Sequence, residues 1–146
     1  MSTLALSHLP HTLVRHQRGL VVVELAIVLP LLVLIMFATA ELGRALYQYT
    51  TLTKAVESGA RYYASDPGIS EDTIKNLVVF ASPTETDKPV LPDFGKGAVF
   101  VEDPENGHIT VSADYNFDPI IGKLPIINKV LGSDLTMTAT QTMRAL

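Results

Sequence analysis

From Leu20 to Ala40 the chain runs for 21 residues with only Glu24, Pro30 and Thr39 breaking a series of apolar side chains. At about 1.5 Å per residue, a helix of that length spans roughly 30 Å, the thickness of a hydrocarbon core. This segment accounts for the high mean hydropathy of +0.27 and the 47% hydrophobic content of a 146-residue chain. The chain beyond Ala40 is ordinary in polarity and long enough for one modest core. The expected organisation is a basic leader at 1–19, the membrane half of a helix at 20–40, and an extracytoplasmic domain at 41–146. Arg15, His16 and Arg18 precede the run with no acid anywhere in 1–19, whereas Glu41 and Arg44 come after it. By the positive-inside rule the N-terminus is cytoplasmic and the C-terminal domain lies outside.

Glu24 is the anomaly. A charged side chain deep in a bilayer costs roughly 2.5–3.5 kcal/mol on the more lenient insertion scales. A segment that only had to cross or anchor would do better with Val or Leu there. One physical answer is snorkelling, because the cytoplasmic interface is a single helical turn away. The other is a partner that needs the acid.

The helix is expected to start near Leu20 and to continue past Ala40. Leu42, Ala45, Leu46, Tyr49, Leu52, Val56, Ala60 and Tyr63 recur in steps of three and four, forming one apolar face. Ser65-Asp66-Pro67-Gly68 stops it. A short second helix is expected over 71–81, with Ser70 as cap and Ile74, Leu77 and Val78 as its stripe. The Pro-, Gly- and charge-rich stretch 82–97 reads as a loop. Residues 98–102 and 108–117 flank D-P-E-N-G, a hairpin signal. Ile109, Val111, Ala113, Tyr115 and Phe117 alternate there with Thr110, Ser112, Asp114 and Asn116. Residues 135–143 alternate likewise, with Thr136, Thr138, Thr140 and Thr142 on the outer face. The expected fold class is α+β: a long N-terminal helix, a short second helix, and a three-stranded antiparallel sheet packed on the first helix.

Little catalytic chemistry is on offer. The chain has no cysteine, which excludes disulfides, thiol catalysis and Cys-based zinc sites. His8, His11, His16 and His108 lack second ligand groups at useful spacing. Asp103, Glu105 and Asn106 lack the repeating acids of a calcium loop and fit a turn better. Ser112 and Asp114 share a strand face without a nearby His, so they make no hydrolase site. No phosphate loop or dinucleotide fingerprint occurs. The net charge of −4, without a basic block after the apolar run, argues against nucleic acid as a partner. No catalytic residue, metal, cofactor or small-molecule substrate is expected.

Gly19 directly follows the basic cluster, and Glu24 is the fifth residue after it. A basic leader, a small residue, four apolar residues and then Glu resemble the processing signature of type IV pilin-like proteins. The continuation closely resembles the N-termini of TadE-like minor pilins of the tight-adherence (Flp, type IVb) pilus and secretion system. The motifs are E-L-A-I-V-L-P at 24–30, E-L-G-R-A at 41–45 and G-A-R-Y at 59–62. The closing stretches I-T-V-S-A-D-Y and L-T-M-T-A-T-Q-T-M-R also look like the family's last strands. Leu25 departs from Flp-type pilins, which usually place an aromatic after the glutamate.

The resemblance implies a structural role in pilus assembly and cleavage between Gly19 and Leu20 by a membrane prepilin peptidase. Arg15 and Arg18 would hold that bond at the cytoplasmic face. Glu24 would meet the N-terminal amine of a neighbouring subunit and set its register. The implied partners are the peptidase, other pilin or pseudopilin subunits, an inner-membrane assembly platform and the lipid bilayer. The place would be the bacterial inner membrane, with the domain periplasmic. Two contrasting readings use the same apolar run. Ala38-Thr39-Ala40 has the form of a signal peptidase site, which would release a binding domain beginning at Glu41. A plain signal anchor would hold an outward sensor domain.

Four further features have two readings each. Pro30 either kinks the membrane helix or is tolerated there. Gly43 and Ala45 either admit a partner's helix or serve the chain's own packing. Gly59 and Ala60 either admit another pilin helix or face the chain's own sheet, and the sheet is expected. The apolar connection Ile120, Ile121, Leu124, Ile126, Ile127, Val130 and Leu131 either packs under the sheet or meets a partner or a membrane surface.

Overall fold

A computed structural model describes residues 13–66, 68–105, 107–120 and 135–144, with side chains at 19–66, 68–102, 107–120 and 135–144. The side chains of Arg15 and Arg18 lie outside the described residues. So do His8, His11, the side chains of His16, Asp103, Glu105 and Asn106, and the apolar connection from Ile121 to Leu131.

The first helix, α1 (Leu13–Ser65), is continuous for 53 residues. It begins seven residues before the expected Leu20, because nothing from Leu13 to Arg18 opposes a helix. Leu, Arg and Gln are good helix formers, and the nearest upstream breaker in the sequence is Pro10. By compactness the chain divides into two units, Met1–Thr39 and Ala40–Leu146.

In the second unit, α1 contributes Leu52, Val56, Ala60, Tyr63 and Ala64 to the core. Helix α2 (Glu71–Phe80) adds Ile74, Val78 and Val79. The Ser70 hydroxyl caps it by accepting from the Thr73 N–H at 3.4 Å, and Glu71 and Asp72 face the positive end of the helix dipole. Its last turn closes at Ala81, held left-handed at φ 53°. The loop after it is not idle: Leu91 and Phe94 are buried, and Val90 N–H donates to the Val79 carbonyl. A single 3₁₀ turn, Lys96–Ala98, leads into the sheet.

The sheet is an antiparallel meander of β1 (Val99–Glu105), β2 (His108–Phe117) and β3 (Leu135–Arg144), in the order β1-β2-β3. β1 runs three residues beyond the expected Glu102. It does so through a one-residue register shift between Glu102 and Glu105, where an extra residue bulges out. Gly107, at φ 75°, takes a turn conformation that side chains resist. β2 and β3 pair over ten residues, from His108 with Arg144 to Phe117 with Leu135. The alternation holds along β2: Ile109, Val111, Ala113, Tyr115 and Phe117 are all buried. On the other face Thr136 donates to Asn116, Thr138 donates to Asp114, and the Thr110 and Thr142 hydroxyls share a hydrogen bond. Each fully buried Leu, Ile or Val stabilises the fold by roughly 1.5–3 kcal/mol. The layout is the expected α+β.

Two packing expectations are corrected. The apolar face of α1 buries only from Gln48 onward, and Leu42, Leu46 and Tyr49 remain 60%, 56% and 45% exposed. Among the described residues, none covers these three side chains. Gly59 faces α2 and not the sheet: a Cβ there would lie 2.5 Å from Val78 Cγ2 and 3.7 Å from Ile74 Cγ2. Ala60 does join the core that includes the sheet residues.

These contacts make two opposite expectations for the denaturation midpoint of the full chain in detergent. Gly59→Val drives a branched side chain into fully buried Val78 and costs about 1–3 kcal/mol. Ala81→Gly relieves the left-handed cap and stabilises by roughly 1 kcal/mol. An unchanged midpoint for Gly59→Val would contradict the close helix packing.

Candidate functional site

Two features stand out. The first is the apolar stretch of α1. Every residue from Gly19 to Ala40 is exposed, and its large apolar side chains range from 37% exposed at Val33 to 73% at Leu20. This is the described helix long and apolar enough to cross a membrane, with a mean hydropathy of 3.0 in its most apolar window. Leaving so many Val, Leu and Ile side chains in water would forfeit roughly tens of kcal/mol.

Within that stretch the polar groups are few. The Thr39 hydroxyl donates to the Ile35 carbonyl at 2.8 Å, so the helix itself satisfies it. α1 continues through Pro30, whose missing N–H leaves the Ala26 carbonyl without its usual intrahelical donor. Glu24 is exposed. It stands four residues after Leu20, hence one turn away on the same side of the helix. The Gly19–Leu20 bond lies inside the helix, and a Cβ at Gly19 would meet nothing within 4 Å. No contact among the described residues therefore explains the glycine. The same holds for Gly43.

The second feature is a clasp that joins the start of the domain to the end of β2. Arg44 Nη2 donates to Glu41 Oε1 at 2.5 Å, one helical turn back, and at 2.5 Å to the Asp118 carbonyl. Its guanidinium lies over the Phe117 ring, 4.5 Å from the centroid. Glu41 Oε1 also accepts from the Ile120 backbone N–H at 3.0 Å. Two side chains on successive turns thus hold the strand's exit at Phe117, Asp118 and Ile120, with a cation–π contact beneath. Glu41 is 16% exposed and Arg44 34%, so solvent screens the pair only in part. Gln48, one turn further along, is buried at 7% exposure. Its Oε1 and Arg44 Nε have no hydrogen-bond partner among the described residues.

Tyr115 belongs to the same neighbourhood. Its ring packs edge-on to Phe94, with centroids 6.0 Å apart and an interplanar angle of 80°. Burial, assisted by Asp93 and Asp118 and opposed by Arg44, pushes its phenol pKa above the ordinary value. Among the described residues no three His, Cys, Asp or Glu cluster in a way that could hold a metal. Asp114 accepts from Thr138 at 2.6 Å on the outer face of the sheet, where Ser112 also stands.

Residues 19–61 match the family model described as TadE-like protein. Over that stretch the chain is similar to the TadE-like family. No curated protein and no solved structure matches it. The match opens on Gly19 and takes in Glu24, Pro30, Glu41, Arg44 and Gly59. Of these, the structure gives Glu41 and Arg44 a joint task that the sequence analysis does not reach. The available signal is an acid and a base three residues apart on the first turn after an apolar run. Their targets, 74 to 79 residues away, are not legible in it.

Two outcomes test this geometry. Arg44→Ala should cost about 1–2 kcal/mol, and Arg44→Ala with Glu41→Ala should cost less than the two singles together, because both serve one network. Strict additivity in denaturation would contradict the clasp. Because the fold holds the Tyr115 proton more tightly than the unfolded chain does, stability is complete below pH ~10 and falls as pH rises beyond it. Tyr115→Phe should flatten that alkaline loss.

Proposed function

We propose that this chain is a minor pilin of a tight-adherence (Flp, type IVb) pilus. In this reading it is made with its N-terminus in the cytoplasm and cut between Gly19 and Leu20 by a prepilin peptidase. The observation that carries the reading is the coincidence of the TadE-like match, which opens at Gly19, with an uncovered apolar helix holding a single acid five residues later. The role is structural: the molecule supports initiation or assembly of the fibre.

The peptidase must unwind the helix to reach the bond. Glycine is about 1 kcal/mol less favourable than alanine in a helix and is free of side-chain bulk, which lowers that cost at Gly19. Arg15 and Arg18 keep the bond at the cytoplasmic face. Cutting leaves an ammonium at Leu20. Glu24 is costly alone in lipid but tolerable beside that charge on a neighbouring subunit. Pairing occurs only where acid and amine meet, so it sets the register between helices. Pro30 gives the helix freedom to bend within the bilayer. The assembly platform and the other pilin subunits are the partners, and the inner membrane is where they meet.

Glu24→Ala in the native host should leave membrane insertion intact and abolish co-purification with pilin subunits, whereas Glu24→Asp should retain part of it. Normal co-purification of Glu24→Ala would sink the pairing. Gly19→Val should leave the leader attached, seen as an uncut species in the membrane fraction.

A further inference from the structure

The clasp has a second consequence, which rests on the membrane reading of the apolar run. Ala40 ends that run, and Glu41 is the next residue. A 21-residue helix fills roughly 30 Å of hydrocarbon, so Glu41 must sit at its edge, in a headgroup layer only about 5–7 Å deep on each side. Whatever Glu41 holds is held there too. It holds the Ile120 N–H at 3.0 Å, while Arg44 holds the Asp118 carbonyl. Ile120 is 63% exposed and Leu42, next to Glu41 on the helix, is 60% exposed. Two large aliphatic side chains are thus fixed, uncovered by any described residue, at the level of the lipid headgroups.

We propose that the domain touches the membrane a second time: Ile120 and Leu42 insert into the lipid headgroup layer on the domain's side of the bilayer. The contact is with lipid and not with a protein groove, because the position is set by direct continuity with the end of the apolar run. It ties the exit of β2 to the bilayer as well as to α1. Glu41 and Arg44 form an ion pair there, so neither brings an uncompensated charge into the layer.

The chain has no tryptophan, so single replacements report their own surroundings. The full chain would be reconstituted in phosphatidylcholine–phosphatidylglycerol vesicles containing lipid brominated near the headgroup. Quenching by that bromine would be compared with quenching by aqueous iodide. Phe37→Trp reports the span, and Tyr62→Trp, 21 residues past Glu41 and so roughly 30 Å along the helix, reports water. Ile120→Trp and Leu42→Trp should behave like Phe37→Trp, quenched by lipid and shielded from iodide. Iodide quenching of Ile120→Trp would overturn the proposal. Shielding from both quenchers would overturn it too, since protein would then cover the site. Loss of lipid quenching at Phe37→Trp would instead bring down the membrane reading itself. A nitroxide on Ile120→Cys, the only thiol in the chain, repeats the reading by oxygen against aqueous nickel relaxation should the indole disturb the fold.

Discussion

One helix carries two kinds of surface. Over its first stretch α1 is apolar on every side, and from Gln48 onward only one side is buried. An all-round apolar surface cannot be covered by a small sheet, and a one-sided surface cannot be left in lipid without exposing its polar face. The character of the helix surface therefore changes between Ala40 and Gln48. The Glu41–Arg44 clasp is placed at that change. It is polar enough to end the hydrocarbon run, yet it turns its charges inward onto the exit of β2. It adds to the core contacts a hold on β2 at Phe117, and β3 pairs along β2. Ile74, Val78 and Val79 of α2 join Leu52, Val56 and Ala60 in one core with the inner face of β2.

The same division separates the two kinds of acid in the helix. Glu41 finds its partners within its own chain. Glu24 has only apolar residues around it in sequence from Leu20 to Leu29, and its exposure leaves room for a partner from outside. A carboxylate satisfied internally stabilises a fold, whereas one that waits for another molecule can specify an assembly. The minor-pilin reading assigns the two roles in that order. Gly19 and Gly43 meet no described residue within 4 Å of a Cβ position, in contrast to Gly59.

Much of this is legible in the sequence because periodicity reports on faces. The inward series Ile109 to Phe117 and the outward threonines of β3 emerge from alternation alone, and the Ser70 cap from its place before two acids. Periodicity cannot report how far a neighbour extends. Leu42, Leu46 and Tyr49 continue the helical stripe, yet the core stops short of them. Nor does it tell which neighbour a small residue meets, so Gly59 reads as facing the sheet when α2 is what approaches it. The start of α1 at Leu13 is hidden for a related reason: a polar segment without breakers propagates a helix with no stripe to announce it. Tertiary pairs such as Arg44 with the Asp118 carbonyl depend on chain closure over 74 residues, for which local sequence holds no signal.

The central claim is that the apolar run is a processed pilin segment, and its most direct measurement is the intact mass and first residue of the protein isolated from its host's membranes. A chain beginning at Leu20 is the expected result. A chain beginning at Glu41, or an uncut one beginning at Met1, would contradict it, the first as a released domain and the second as a plain anchor.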